Sequence, residues 1–409
     1  MSLEHTQVTF RYERLRALAM GVLEAAATTF LLLIAVRYFE AGPTAKALIA
    51  LGGSLGHLFS PLVVNEVTRR GWPVARAAAG LGYLGAAALL VAVCAPALPI
   101  YVLGCVVATA CGSSAIPLMT QVYQMNYPPA QRGRLFSQTM IIRIGMAALA
   151  NELGGRLLAV RLDYFRWLLL GFSAAYAFGA WCQSRIPSAP LTASAGTHPL
   201  RAMRYAREDR LFRITLIAWM FMGMGNLMMY PLRIEYLANE RYGLTLDVAT
   251  VALLAGVVPN VARLVCSPIW GWLFDRMNFF ALRAVLNVGF AVGILSFFVS
   301  GDSMTGLLLG AVIFGVSNAG GDVAWSLWVT KFAPPERVAD YMSVHTCFTG
   351  VRGVLAPLIA FHLVGSLGMI NMAWMCAALI GVSVVMLGTE VPLGKKARQA
   401  TPTTEEVSE

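Results

Sequence analysis

Apolar residues in this chain come in blocks of about twenty, separated by short polar connectors. Twelve such runs lie at roughly 15–36, 44–64, 74–94, 98–124, 135–158, 165–185, 212–232, 248–272, 281–299, 304–330, 342–364 and 368–388. A bilayer core takes about 20 residues of helix to cross. Lipid offers no water to backbone amides, so each run is predicted to be a helix and none an open strand. Connectors under about a dozen residues make successive helices antiparallel neighbours. The pattern predicts an all-α polytopic membrane protein with twelve transmembrane helices.

The pattern also repeats. Ser60-Pro61, Arg69, Arg76 and Gly82 return as Ser267-Pro268, Arg276, Arg283 and Gly289, each 207 positions on. Pro128-Pro129 and Ser137 return as Pro334-Pro335 and Ser343, 206 positions on. The chain is expected to form two pseudo-symmetric six-helix bundles, 1–185 and 211–390. A Pro-, Ser- and Thr-rich, then basic linker covers 186–210, and a polar tail at 391–409 is expected to be disordered. Paired bundles of this kind hold a binding site between them near the bilayer midplane.

Composition agrees on the solvent. Charged residues make up 13% of the chain, where a soluble domain has about 25%. The net charge of +10 is not a nucleic-acid footprint, because its distribution follows topology. With the N-terminus cytoplasmic, 21 of the 31 Lys and Arg fall on the cytoplasmic side, seven on the other, and Arg143, Arg263 and Arg352 within spans. This positive-inside asymmetry predicts a cytoplasmic (inner) membrane with both termini cytoplasmic. Lipid headgroups are partners enough for the basic loops. The seven Cys all lie in spans without a C-x-x-C pair and read as apolar packers. The first span is too long for a signal-peptide core and is expected to be uncleaved.

Between the eighth and ninth runs the chain reads Gly271-Trp272-Leu273-Phe274-Asp275-Arg276, with Arg283 seven residues on. This resembles the G-x-L-x-D-R signature of the major facilitator superfamily, and twelve helices, a long central loop and a halfway repeat resemble it too. The resemblance covers roughly 11–390. It implies alternating access by two rocking halves, a cavity lined by helices 1, 4, 7 and 10, and a latch of Asp275 and Arg276 at the cytoplasmic helix ends. The N-terminal copy keeps Arg69 and Arg76 but has Val64 for the Gly and Thr68 for the Asp, with Glu66 two positions away. The antiporter signature of helix 5 is also missing its Pro: Ala150-Asn151-Glu152-Leu153-Gly154-Gly155 has Asn there. Gly353, Ala356 and Pro357 predict a kink in helix 11.

Ionisable residues inside a span face a cavity or a partner. Glu24 lies near the middle of helix 1 and Asp322 within helix 10, where the repeat has apolar Ala115 or Ile116 in the other half. These carboxylates are candidates for carrying a coupling proton; the alternative is structural pairing with an intramembrane Arg. Arg143, Arg263 and Arg352, with His345, and with His57 one repeat position from Arg263, point to an anionic or zwitterionic solute, or else merely neutralise Glu24, Glu152 or Asp322. Asn226 and Tyr230 on helix 7, near Trp219 and Met222, and Trp325, Ser326 and Trp328 on helix 10 suit an amphipathic solute or ordinary packing.

The expected function is secondary transport of a small organic solute by a monomer, with proton symport preferred and no cofactor. Export of amphipathic compounds and a transporter-like receptor are the alternatives. Met220, Met224 and Met228 form a stripe that copper could use, but a partner His-x-x-x-Met is absent, and no metal is assigned. Gly52-Gly53-Ser54-Leu55-Gly56 matches G-x-S-x-G, yet inside a membrane helix its glycines fit helix contacts better than a nucleophile elbow. No Walker A loop, H-E-x-x-H or dinucleotide fingerprint occurs, so the chain is not read as an enzyme.

Overall fold

The computed structural model describes residues 3–95, 97–190, 203–328 and 338–390. Most of the expected linker (191–202) and all of the expected tail lie outside them, as do Pro334-Pro335. Twelve long helices follow in order. Helix α1 runs Leu3–Ala25, passes through a π-helical turn at Ala26–Phe30 and continues Leu31–Arg37. Then come α2 (Pro43–Arg70), α3 (Val74–Cys94), α4 (Leu98–Ser114, resuming Ile116–Asn126), α5 (Pro129–Val160) and α6 (Phe165–Ser184). The second set is α7 (Arg210–Ala238), α8 (Val248–Ala252, a π turn at Leu253–Val257, then Val258–Arg276), α9 (Phe279–Val299), α10 (Met304–Leu327), α11 (Val338–Leu367) and α12 (Met369–Gly388).

The two sets start their helices differently. Proline occupies the first turn of α2, α4 and α5, where its missing N–H costs nothing. In the second set, Asp209, Asp247, Asn278 and Ser303 cap α7, α8, α9 and α10 through side-chain oxygens that accept backbone N–H bonds.

Packing repeats with a shift of six helices. In the first set α1 packs on α5 and α6, α2 on α4, and α3 on α4 and α6. In the second, α7 packs on α11 and α12, α8 on α10, and α9 on α10 and α12. The sets meet through α2 with α11 and α5 with α8. Those two seams exchange under the same six-helix shift, so the interface shares the pseudo-two-fold of the sequence repeat.

Small residues permit the close approaches. A Cβ on Gly21 would lie 2.5 Å from the Arg143 carbonyl oxygen of α5, and one on Gly225 would lie 2.6 Å from that of Cys376 on α12. Gly52 and Gly56 press against α4 with no room for a side chain, and Ser54 faces Gly353 of α11. The G-x-S-x-G stretch is thus accounted for by two helix contacts.

Ten of the twelve helices are long and apolar enough to cross a membrane on their own composition. The exceptions are α5, which carries Gln138, Arg143, Asn151 and Glu152, and α6, with Arg166, Trp167, Tyr176, Trp181 and Gln183. Twelve crossings return the chain to the face on which it began. There Arg210, opening α7, meets Glu390, just past α12, at 3.4 Å. We call this the terminal face.

Candidate functional site

The two π turns adjoin the charged residues of interest, and they touch each other across the interface. A π turn adds a residue to the helix and re-aims the side chains beside it. In α1 it begins two residues after Glu24, whose carbonyl accepts a bond from Thr28 Oγ1 at 2.8 Å. In α8 it ends just before Pro259. Pro259 has no N–H to give to the preceding turn, and beside it Asn260 Nδ2 donates to the Gly256 carbonyl at 2.9 Å. Arg263 follows one turn later.

These local distortions bring four charges into one line. Arg143 Nε of α5 donates to Glu24 Oε2 at 2.5 Å. Arg263 Nη1 of α8 donates to Glu24 Oε1. Arg263 Nε donates to Asp322 Oδ2 of α10 at 2.6 Å. Two guanidinium groups and two carboxylates make the set neutral, as burial away from water demands. Arg263 reaches across from the C-terminal helices to a carboxylate of the N-terminal ones. The middle of the line is sealed and the ends are open: the Glu24 and Arg263 side chains are 10% and 11% exposed, those of Arg143 and Asp322 33% and 45%. His57 is not among the hydrogen-bond partners of Arg263, and Glu152 pairs with Arg156 on its own helix at 2.6 Å.

Beside this line are two small cavities that share Tyr230, Arg233 and Phe314. One is polar and includes Glu24, Asn260 and Arg263. The other is lined by Asn226, Met229, Ile294 and Phe297. Asn226 and Tyr230 therefore adjoin the charge line. Arg233 does as well, although the apolar pattern ends helix 7 at 232.

The remaining cavity candidates gather elsewhere. His345 of α11 is fully buried, its ring 5.1 Å from Trp219, 4.9 Å from Trp328 and 5.8 Å from Trp325. Arg352 donates from Nη1 to the Trp219 carbonyl at 2.5 Å and from Nη2 to Thr349 Oγ1 at 3.3 Å. Arg283 stacks on the Trp219 ring at 3.6 Å. No carboxylate among the described residues pairs with Arg283 or Arg352. The Ser326 side chain lies outside the described set.

The gating candidates are likewise dispersed. Arg69 and Arg70 both pair with Glu66 on their own helix, so Glu66 supplies the carboxylate missing at Thr68, within one helix and not between two. Arg76 is exposed. Arg276 is exposed and lies 4.2 Å over Trp272, Gly271 has open space where a Cβ would stand, and the Asp275 side chain is outside the described set. Arg283 is buried in the α7–α9 region. In the methionine stripe, Met228 is packed in the core, and among the described residues no cluster of three His, Cys, Asp or Glu occurs.

One polar feature escaped the sequence reading. On the face opposite the terminal one, Lys46 Nζ of α2 donates to both oxygens of Glu235 on α7 at 2.7 Å, and Asn239 Nδ2 adds a bond to Oε1 at 2.8 Å. Both partners are buried. Arg37 Nη2 donates to the Leu246 carbonyl at 2.6 Å, Arg37 Nη1 meets Glu240 at 3.2 Å, and Thr44 Oγ1 meets His362 Nε2 at 3.3 Å. All of these except the Asn239 bond join the two sets of helices on that face. The positions fall at or just past the ends of the apolar runs, where charge reads as loop.

Residues 244–408 match the sequence profile of the Major Facilitator Superfamily. Among curated proteins none matches the sequence. Solved structures of similar fold include a nucleoside transporter, NupG, at 13% identity and TM-score 0.71, over 95% of this chain and 99% of that one. A D-xylose–proton symporter matches at 14% and 0.67, covering 96% and 97%. The human organic anion transporter TETRAN matches at 15% and 0.65, covering 95% and 100%. At these identities the likeness is one of fold, and it spans 95–96% of the chain.

Proposed function

We propose that this chain, a major facilitator superfamily protein by its fold and by the family match over residues 244–408, is a proton-coupled secondary transporter of a small organic solute. The charge line Arg143–Glu24–Arg263–Asp322 carries the reading, because it ties the two halves together through groups that protons can uncouple. Asp322 is the more open of the two acids and is the site proposed to take up the proton first. A neutral Asp322 no longer holds Arg263 electrostatically, and Arg263 then depends on Glu24 alone. Protonation of Glu24 removes the attraction between the halves. A buried guanidinium left with one carboxylate in place of two is costly, and that cost is the drive for the halves to re-pair differently around the site.

The closed side supports alternating access. Lys46–Glu235 and Arg37–Glu240 hold the face opposite the terminal one, so the state described here is the one shut on that face. Asp275 and Arg276 are assigned to hold the terminal face in the alternate state. The basic loops assign the terminal face to the cytoplasm of a cytoplasmic membrane. The named activities of similar folds, a D-xylose–proton symporter and an organic anion transporter, place proton coupling and anionic cargo within reach of this architecture.

The test uses purified protein in liposomes loaded with a pH-sensitive dye and challenged with a panel of organic acids, sugars and nucleosides. At least one solute should acidify the lumen in the wild type and fail to do so with Asp322→Asn or Glu24→Gln. Solute accumulation at constant luminal pH, or equal acidification by the neutralised variants, would refute proton coupling.

A further inference from the structure

Arg233 is the surplus charge of the site. Its charged neighbours have acids: Arg143 and Arg263 share Glu24 and Asp322, and toward the opposite face Lys46 has Glu235. Arg233 is 4% exposed and no carboxylate of the described residues pairs with it. Its Nε and Nη1 are buried without a hydrogen-bond partner. The guanidinium lies 3.6 Å from the ring centre of Phe314 and 4.7 Å from that of Tyr230. Aromatic faces offset part of the desolvation of a cation, and the Tyr230 hydroxyl faces the guanidinium, but neither supplies the negative charge that its buried Nε and Nη1 lack. A guanidinium keeps its proton even here, so its unfilled donors call for an acceptor anion.

Its position says what the anion is attached to. Arg233 stands between the polar cavity, with Asn260 and Asn318, and the cavity of Met229, Ile294 and Phe297. The first offers amide and guanidinium donors, and the second is hydrocarbon apart from Asn226 and the shared Tyr230. Neither cavity touches Arg283 or Arg352, whose contacts are to Trp219. Glu24, which also borders the polar cavity, is already held by two guanidinium groups and does not repel an incoming anion as a bare carboxylate would.

Resting on the transporter reading, we propose that Arg233 is the anion-binding residue of the transport site, and that the substrate is an amphipathic organic carboxylate. Its carboxylate accepts from the open N–H groups of Arg233, and its apolar part lies toward Met229, Ile294 and Phe297. The cavities are water-sized in the state shut on the face opposite the terminal one, so the solute occupies them after the halves have shifted.

The experiment measures thermal stabilisation of the full-length purified protein by benzoate and phenylacetate, each beside its amide, benzamide and phenylacetamide. Ligand that binds only the folded state raises the apparent Tm. Each carboxylate should bind at least about tenfold more tightly than its amide. Arg233→Gln should bring that ratio to about one, and Arg233→Lys should keep part of it. Without ligand, Arg233→Gln should melt no lower than the wild type, since it removes an uncompensated buried charge. Equal binding of acids and amides by the wild type overturns the proposal. So does a carboxylate preference that survives Arg233→Gln, or a Tm lowered alike in both variants with the preference unchanged, which marks a packing role. Counterflow of labelled benzoate in proteoliposomes separates the two readings. An Arg233-dependent carboxylate preference without counterflow sinks transport and leaves the site; counterflow of a neutral solute without that preference does the reverse.

Discussion

Two clusters of buried arginine lie in this bundle, and they are stabilised in different ways. In the first, Arg143 and Arg263 are neutralised by Glu24 and Asp322. In the second, Arg283 and Arg352 surround Trp219, held by its ring, its carbonyl oxygen and Thr349, with His345 against the same ring. A carboxylate can be switched off by a proton; an indole ring cannot. The first cluster is held by two groups that a proton can neutralise, and of the two clusters only the first spans both halves. The second lies wholly within the C-terminal helices, where its cation–π contacts tie α7, α9 and α11 to one another.

Glu24→Gln should give the largest effect on this contrast. It deprives two guanidinium groups of their shared negative charge, at a cost of roughly 3–5 kcal/mol by analogy with broken buried pairs. Thermal unfolding in detergent should show the loss, and an unchanged Tm would mean the four groups are not one network. Trp219→Phe should have a smaller effect, about 1–2 kcal/mol, because Phe fills most of the space and binds the two guanidinium groups more weakly, and should leave any proton coupling in place. If it abolishes coupling while the protein still folds, the two clusters are not separate in function. Arg69→Gln should have the least effect. Its pair with Glu66 is exposed and lies within one helix, so neither Tm nor transport should move measurably; a loss of transport would restore the N-terminal latch that the intrahelical pairing argues against.

Much of the site was visible along the chain as separate anomalies. Glu24, Arg143, Arg263 and Asp322 each interrupt an apolar run, and lipid makes every such interruption costly. Their pairing was open on sequence alone, and a lone Arg could be neutralised by Glu152, Asp322 or Glu24. The fold sends Glu152 to Arg156 at i+4 and leaves Arg352 with no acid at all among the described residues. Arg233, Glu235 and Lys46 went unremarked for the opposite reason. They sit at the ends of apolar runs, where a charge reads as the start of a connector. Hydropathy counts each charge singly, whereas Lys46 and Glu235 cancel one another across the interface of two helices 189 positions apart.

By itself the sequence determined the helices, their number and their duplication. Those follow from local physics: the length of an apolar run against the thickness of a bilayer, and the need to satisfy backbone hydrogen bonds within each span. Tertiary structure alone decided which charges meet and which arginines are left with open donors. Such contacts depend on how helices far apart in the chain are turned about their axes, and here two π turns set part of that rotation. A residue's chemistry can be read in one dimension, but its partner is chosen in three.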